Sequence, residues 1–237
     1  MAVTFIGDVH GWADRLETVL ARASGPLVFM GDLIDRGAQV PAVLDRVHDL
    51  CDRGVARCLL GNHEWMLTRC LGRGKRAPDP EAFAAWVEDW GGDAVLAAYG
   101  ARTAGELATA LGRHRGWLAN LPWVLEGEED GRRWIAVHAG LDHQRPLAEQ
   151  LKELRQGWDG PWRDTPDPRP APLFSKQRVR SLPPDLPAEA CVVSGHTPLW
   201  EPLVTGHRII CDTSGGQPAR LLSAVVFPAG RIITSRP

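Results

Sequence analysis

The sequence predicts an α/β fold, a layered sandwich of sheets with helices outside. Three observations carry that reading: short apolar runs that end in glycine-flanked polar residues, helical periodicity between the first of these runs, and a later half rich in strands.

Val3-Thr4-Phe5-Ile6 is the first run, and Gly7-Asp8-Val9-His10-Gly11 follows it. Leu16, Val19, Leu20 and Ala23 then recur at helical spacing, stopped by Ser24-Gly25-Pro26. Leu27-Val28-Phe29-Met30 leads into Gly31-Asp32-Leu33-Ile34-Asp35-Arg36-Gly37, where three charges gather at the mouth of a buried strand. Val40, Val43, Leu44, Val47 and Leu50 mark a second amphipathic helix, with Gly54 placed to end it. This β-α-β-α order predicts parallel strands joined by crossovers. Val55 to Leu60 is the third strand and ends in Gly61-Asn62-His63-Glu64.

From about 67 to 129 the pattern turns helical, carrying Phe83, Trp86, Val87 and Trp90, then Val95, Leu96 and Tyr99. We read it as a helical insertion over one end of the sheet, with its tryptophans in the core and His114, between two arginines, exposed. Trp134-Ile135-Ala136-Val137 delivers His138-Ala139-Gly140. About 156–187 is rich in proline and arginine and aperiodic, an irregular loop expected on the substrate side, because compact domains seldom keep so long a loop without use. Ala190-Cys191-Val192-Val193 ends in Ser194-Gly195-His196-Thr197, and Ile209-Ile210, Leu221 to Phe227 and Arg231 to Thr234 finish the chain as strands. No repeat or boundary divides the chain, so residues 1–237 are expected to form a single domain.

Composition narrows the function classes. Apolar residues make up 44% and charged residues 24% of 237, the balance of an ordinary globular protein. With 27 basic and 29 acidic residues, bulk charge predicts neither nucleic-acid nor membrane binding. No apolar run approaches the roughly 18 residues of a membrane span. No basic segment precedes the first strand, so a cytoplasmic protein without a signal peptide is expected. Five scattered cysteines read as reduced, mostly buried thiols. Ten tryptophans stand against one tyrosine, and nothing in the sequence gives them a function.

Asp8-x-His10 alone fits a surface turn as well as a metal pair. Five strands ending in Asp8/His10, Asp32, Asn62/His63, His138 and His196 make a pattern that surface turns do not explain. Oxygen and imidazole donors without thiolate favour Mn²⁺, Fe or Zn²⁺, and the supply suffices for two ions sharing a carboxylate. Such ions lower the pKa of a bound water, giving hydroxide near neutral pH. His63 is placed to protonate a leaving oxygen, Asp35 to hold its tautomer, and Arg36 to fork phosphate oxygens.

These five segments, in this order, resemble the motif set of the phosphoprotein phosphatase family of calcineurin-like metallophosphoesterases, above all its small bacterial and phage serine/threonine phosphatases. The resemblance runs from residue 7 to 197. It implies a metallophosphoesterase β-sandwich of two mixed sheets flanked by helices, with two divalent ions, Mn²⁺ first, at the strand ends. Asp8, His10 and bridging Asp32 would hold one ion; Asp32, Asn62, His138 and His196 the other. His63 would be the general acid oriented by Asp35, with Arg36 on phosphate. A second phosphate-binding arginine is usual in a segment like Leu173-Phe174-Ser175-Lys176-Gln177-Arg178; here Lys176 takes the aligned position and Arg178 lies two residues on. The family's Asp-Thr-Gly segment reads Asp212-Thr213-Ser214-Gly215, a change expected to be structural.

Within the family, dinucleoside tetraphosphate hydrolases commonly lack the acid equivalent to Asp35 and end the third motif in Asp. Asp35 and Glu64 therefore lean the expectation to a phosphoserine/phosphothreonine protein phosphatase, with a dinucleoside tetraphosphate or nucleic-acid-end phosphohydrolase as the alternative. The substrate is then a phosphorylated protein or a nucleotide. A non-catalytic binding protein on the same fold would have lost ligands, and every such position is filled.

Overall fold

The computed structural model describes residues 2–164 and 169–236. Strand β1 (Val3–Ile6), helix α1 (Ala13–Leu20), β2 (Leu27–Phe29), α2 (Val40–Asp52) and β3 (Ala56–Cys58) alternate as the periodicity predicts. Five helices follow: α3 (Asn62–Leu71), α4 (Pro80–Asp89), α5 (Gly92–Tyr99), α6 (Ala104–Ala110) and α7 (Arg113–Leu118). Then come β4 (Val124–Glu129), β5 (Arg132–Val137), α8 (Leu147–Gln156), α9 (Ala171–Phe174), β6 (Ala190–Ser194), β7 (Leu203–Val204), β8 (Arg208–Ile210), β9 (Ser223–Phe227) and β10 (Arg231–Thr234).

Two mixed sheets form, in the orders β10-β9-β1-β2-β3 and β4-β5-β6-β8-β7. β1, β2 and β3 are mutually parallel, as are β5, β6 and β8, which are joined by crossovers. Alternation along each strand separates two apolar layers. Val3, Phe5, Val28, Met30 and Leu59 meet Trp134, Ala136 and Val193 between the sheets. Ile6, Leu27, Phe29 and Leu60 face the helices on the other side. Burial of both faces is why these strands read as unbroken apolar runs. Phe5 meets Trp134 edge-on at 5.2 Å and Phe227 at 6.2 Å, and truncating Phe5 to alanine would cost about 3–5 kcal/mol.

Three local expectations need correction. The helical stretch ends at Leu118, and 124–129 is a strand, closed onto β5 by the left-handed pair Asp130 (φ 51°) and Gly131 (φ 72°). Val124-Leu125-Glu126-Gly127-Glu128-Glu129 has too few apolar residues to announce a strand; pairing from Val124 with Val137 to Glu129 with Arg132 supplies the reason. The expected irregular loop carries the end of α8, α9 and 3-10 turns at Gly157–Asp159, Pro161–Asp164 and Arg178–Arg180. Residues 165–168 of that loop lie outside the described residues. His114 is buried, its Nε2 3.1 Å from Asp45 and its Nδ1 3.1 Å from His48 Nδ1. All five cysteines are free thiols, four of them buried. Among the described residues no helix is long and apolar enough to cross a membrane.

Candidate active site

The carboxyl ends of β1, β2 and β3 in one sheet and of β5 and β6 in the other converge, and every predicted ligand position lies just beyond one of them. The turns are tight. His10, Asp32, Asp35, Arg36 and His196 all take positive φ, between 47° and 71°, which non-glycine residues adopt only under constraint. Among the described non-glycine residues only Asp130 shares that conformation. Glycines let the backbone close in: a Cβ on Gly195 would lie 2.1 Å from Asp8 Oδ1, and one on Gly61 2.1 Å from Asp32 Oδ1.

Asp32 is the hub. Its Oδ2 lies 3.4 Å from His138 Nε2, 3.7 Å from His10 Nε2 and 3.9 Å from His63 Nε2. Asn62 Oδ1 lies 2.8 Å from His138 Nε2 and 2.9 Å from His196 Nδ1. Three rings are pinned from outside: His10 Nδ1 to the Ile34 carbonyl at 2.8 Å, His138 Nδ1 to Met30 at 2.6 Å, His196 Nε2 to Phe174 at 3.1 Å. A carbonyl only accepts, so each outer nitrogen carries the hydrogen. Burial keeps His10 and His196 neutral with an inner lone pair, while at His138 burial is outweighed by Asp32, which raises its pKa and favours a proton on its inner nitrogen. The inner nitrogens thus converge on carboxylate and amide oxygens.

The carboxylates sharpen that demand. Asp8 is buried and accepts the His196 N–H on both oxygens, at 3.2 and 3.0 Å; burial first, then the charges of Asp212 and Asp32, push its pKa well up. Burial would raise Asp32 too, but the neighbouring imidazoles of His138, His63 and His10 outweigh it and hold its carboxylate well below the usual range. Asp212 Oδ2 is buried with no hydrogen-bond partner among the described residues. Buried carboxylates beside inward lone pairs fit divalent cations, and the donor set lacks thiolate, as predicted. Two groups, His10 with Asp32 and His63, and Asp32 with His138 and His196, bring ligand atoms within 4.8 Å of one another.

His63 lies edge-on to His10 at 4.6 Å but differs from the other rings in its partner. Its Nδ1 donates to Asp35 Oδ2 at 2.5 Å, and Asp35 in turn accepts the Trp86 indole N–H at 3.0 and 3.1 Å. Burial pushes His63 down to about 4, so its Nε2 is unprotonated and accepts from Arg36 at 3.1 Å. Arg36 also donates to His10 Nε2 at 3.0 Å and to the Gly215 carbonyl at 2.5 Å. The Asp212–Gly215 segment is structural in this sense: it anchors Arg36, and Ser214 Oγ holds the Asp8 carbonyl at 2.7 Å.

Two supporting residues escaped the sequence reading. Trp86 was assigned to the core only, and it is also the donor that fixes Asp35. Glu64 is fully buried and accepts four backbone N–H groups, from Gly61, Asp32, Leu33 and Ile34, at 2.7 to 3.3 Å. It ties the Asp32 loop to the first turn of α3, and Glu at the third helical position after Gly61 was the available signal.

A cavity of about 780 Å³ opens over these groups. Trp90 and Phe174 form one wall, their rings 5.8 Å apart, with Trp90 5.2 Å from His63. Lys176 and Arg169 bring positive charge to it. Arg178 does not line it: its guanidinium pairs with Asp142 at 2.7 Å.

Residues 1–200 match the family model for calcineurin-like phosphoesterases. A symmetrical bis(5'-nucleosyl)-tetraphosphatase of Ralstonia nicotianae is 38% identical over 96 residues, 35% of this chain and 34% of that relative. The asymmetrical bis(5'-nucleosyl)-tetraphosphatase PrpE of Geobacillus thermodenitrificans is 27% identical over 230 residues, 90% of this chain and 85% of the relative. The chain spans a third to about half of the symmetrical relatives it matches. A protein serine/threonine phosphatase from Saccharomyces cerevisiae shares the fold, with a TM-score of 0.57 at 15% identity over 99% of this chain and 79% of its own. Members of the matched family use divalent metal ions on phosphoester substrates. The chain belongs to the calcineurin-like phosphoesterase family.

Proposed function

We propose that this chain hydrolyses the phosphoanhydride chain of dinucleoside tetraphosphates at a two-ion centre on its strand ends. The observation that carries the substrate class is the match to the asymmetrical tetraphosphatase along 90% of this chain and 85% of that relative. The aromatic wall of Trp90 and Phe174 supports it, since a nucleobase stacks where a peptide would not need to, and Lys176 and Arg169 meet a polyphosphate. The protein phosphatase expectation rested on Asp35 and Glu64. Both are fully buried, committed to His63 and Trp86 or to backbone N–H groups, so neither meets the leaving group.

In this reading Asp8, His10 and Asp32 hold one ion, and Asp32, Asn62, His138 and His196 the other. Bound there, the ions supply Lewis acidity toward phosphate oxygens and lower the pKa of water. Arg36 turns from the two imidazoles to a phosphate, which suits its planar fork. That removes the Arg36 donor from His63 Nε2 and sets negative charge beside it, raising its affinity for a proton. His63 then gives that proton to the leaving phosphate oxygen, while Asp35 keeps the ring in place and stabilises its cation. Lys176 and Arg169 hold the remaining charge, and Arg178 stays with Asp142.

The test is hydrolysis by metal-stripped protein resupplied with Mn²⁺, comparing diadenosine tetraphosphate with a phosphoserine peptide. A higher kcat/KM for the tetraphosphate, with AMP and ATP as products, is expected. A higher value for the peptide overturns the reading.

A further inference from the structure

A second cavity, of about 250 Å³, adjoins the catalytic one through Trp65 and Phe174, whose rings meet at 5.2 Å. Its walls account for four of the ten tryptophans. Trp65 and Trp158 lie parallel within 4° at 5.9 Å, Trp123 and Trp162 within 18° at 5.2 Å. Arginines surround them. Arg69 sits 5.7 Å over Trp65, Arg73 5.6 Å over Trp158, and Arg76 stands exposed at the rim. Against these three cations the lining offers one carboxylate, Asp79, already paired with Arg69 at 2.9 Å. The Trp123 and Trp158 indole N–H groups are buried without an acceptor among the described residues. A well-packed core leaves neither excess arginine nor orphan donors around an open space.

Flat aromatic walls and excess positive charge select a ligand with a planar ring and an anionic group. The volume lies below the roughly 300–1,000 Å³ of most small-molecule sites, which limits it to one base and its phosphate. We propose that this cavity is a mononucleotide-binding site, with a purine against Trp158 and Trp65 and a phosphate on Arg73 and Arg76. The site is coupled to the catalytic one. Phe174 packs on Trp65 with its ring and accepts the His196 N–H with its carbonyl, so a filled cavity bears on a ligand-orienting contact. The nucleotide is either a free one or the second nucleoside of the substrate; only the latter source rests on the function proposed above.

AMP is titrated into Mn²⁺-loaded protein whose catalytic centre is saturated with inorganic phosphate, following tryptophan fluorescence. Saturable one-to-one binding is expected. Trp158→Leu should weaken it about tenfold or more, the scale of one lost base stack. Arg76→Glu, on the exposed rim where folding is not at stake, should weaken it several-fold, and both variants should keep p-nitrophenyl phosphate turnover. If the substrate's second nucleoside is the occupant, Trp158→Leu also raises KM for diadenosine tetraphosphate; if a free nucleotide is, that KM holds and AMP alters kcat. Absence of saturable AMP binding, or equal AMP affinity in both variants and the parent, overturns the site. AMP binding without tetraphosphate hydrolysis would reject the substrate reading and keep the site.

Discussion

At the strand ends, His10, His138 and His196 each give one ring N–H to a backbone carbonyl and turn the other nitrogen toward Asp32 or Asn62. On the helical side, His48 and His114 are buried too, yet their inner nitrogens face each other at 3.1 Å. Their outer nitrogens face Asp52 and Asp45, whose side chains are 58% and 67% exposed. One nitrogen of that inner pair must carry the hydrogen and the other accept it, so the pair satisfies itself. At the strand ends the inner nitrogens gather around the buried oxygens of Asp32 and Asn62, a donor set that fits a cation, with Arg36 on His10 and His63. Burial and a nearby acid are common to both clusters. What separates the two clusters is the partner of the inner nitrogen: buried oxygens of Asp32 and Asn62 in one, a second imidazole in the other.

That contrast can be broken at several points. Asp32→Asn, at the hub, should lose metal measured by equilibrium dialysis and lower phosphate release at least about 100-fold. A fully metallated, active variant would remove Asp32 from the bridging role. His63→Asn should retain both ions while cutting turnover of poor leaving groups by about 10²–10⁴, with a smaller loss on p-nitrophenyl phosphate. Equal metal loss there would make His63 a ligand, as its place in one cluster with His10 and Asp32 allows. Trp86→Phe removes the donor to Asp35, and about a tenfold loss of kcat with unchanged metal content is expected. On the other cluster, His114→Ala should leave metal content and kcat alone and cost about 1–3 kcal/mol in denaturant unfolding, through the orphaned His48 nitrogen. The smallest effect concerns pH. Burial lowers the His48 pKa, so the unfolded chain binds the extra proton, and this contribution to stability is complete above about 6.5 and lost as pH falls below it. His48→Asn should flatten that part of the stability profile of the metal-loaded protein; an unchanged slope would place the titration elsewhere.

The strand ends were legible because each is punctuated locally: an apolar run, then a carboxylate, amide or imidazole with a glycine within two residues. All of Asp8, His10, Asp32, Asn62, His138 and His196 fall where that punctuation puts them. What failed to show was long-range. Trp86 reaches Asp35 across 51 positions, and His114 meets His48 and Asp45 across 66 and 69. No window of sequence carries such contacts, which is why His114 looked exposed and Trp86 looked merely apolar. Lys176 held the aligned position in sequence, with Arg178 two residues on; the pairing of Arg178 with Asp142, 36 positions away, is a contact no local window shows. The first substrate expectation turned on two residues that the structure places behind the site. Asp35 and Glu64 differ between branches of the family, but in this chain they brace the site from behind, where the leaving group exerts no selection.

The central claim is that five strand ends build one centre in which Asp32 joins two ions. Paramagnetic resonance of metal-stripped protein titrated with Mn²⁺ tests it directly, because ions about 3.5–4 Å apart couple their spins. The account predicts two Mn²⁺ per chain with an exchange-coupled spectrum that disappears in Asp32→Asn. Two uncoupled ions, or a single ion at saturation, would contradict it.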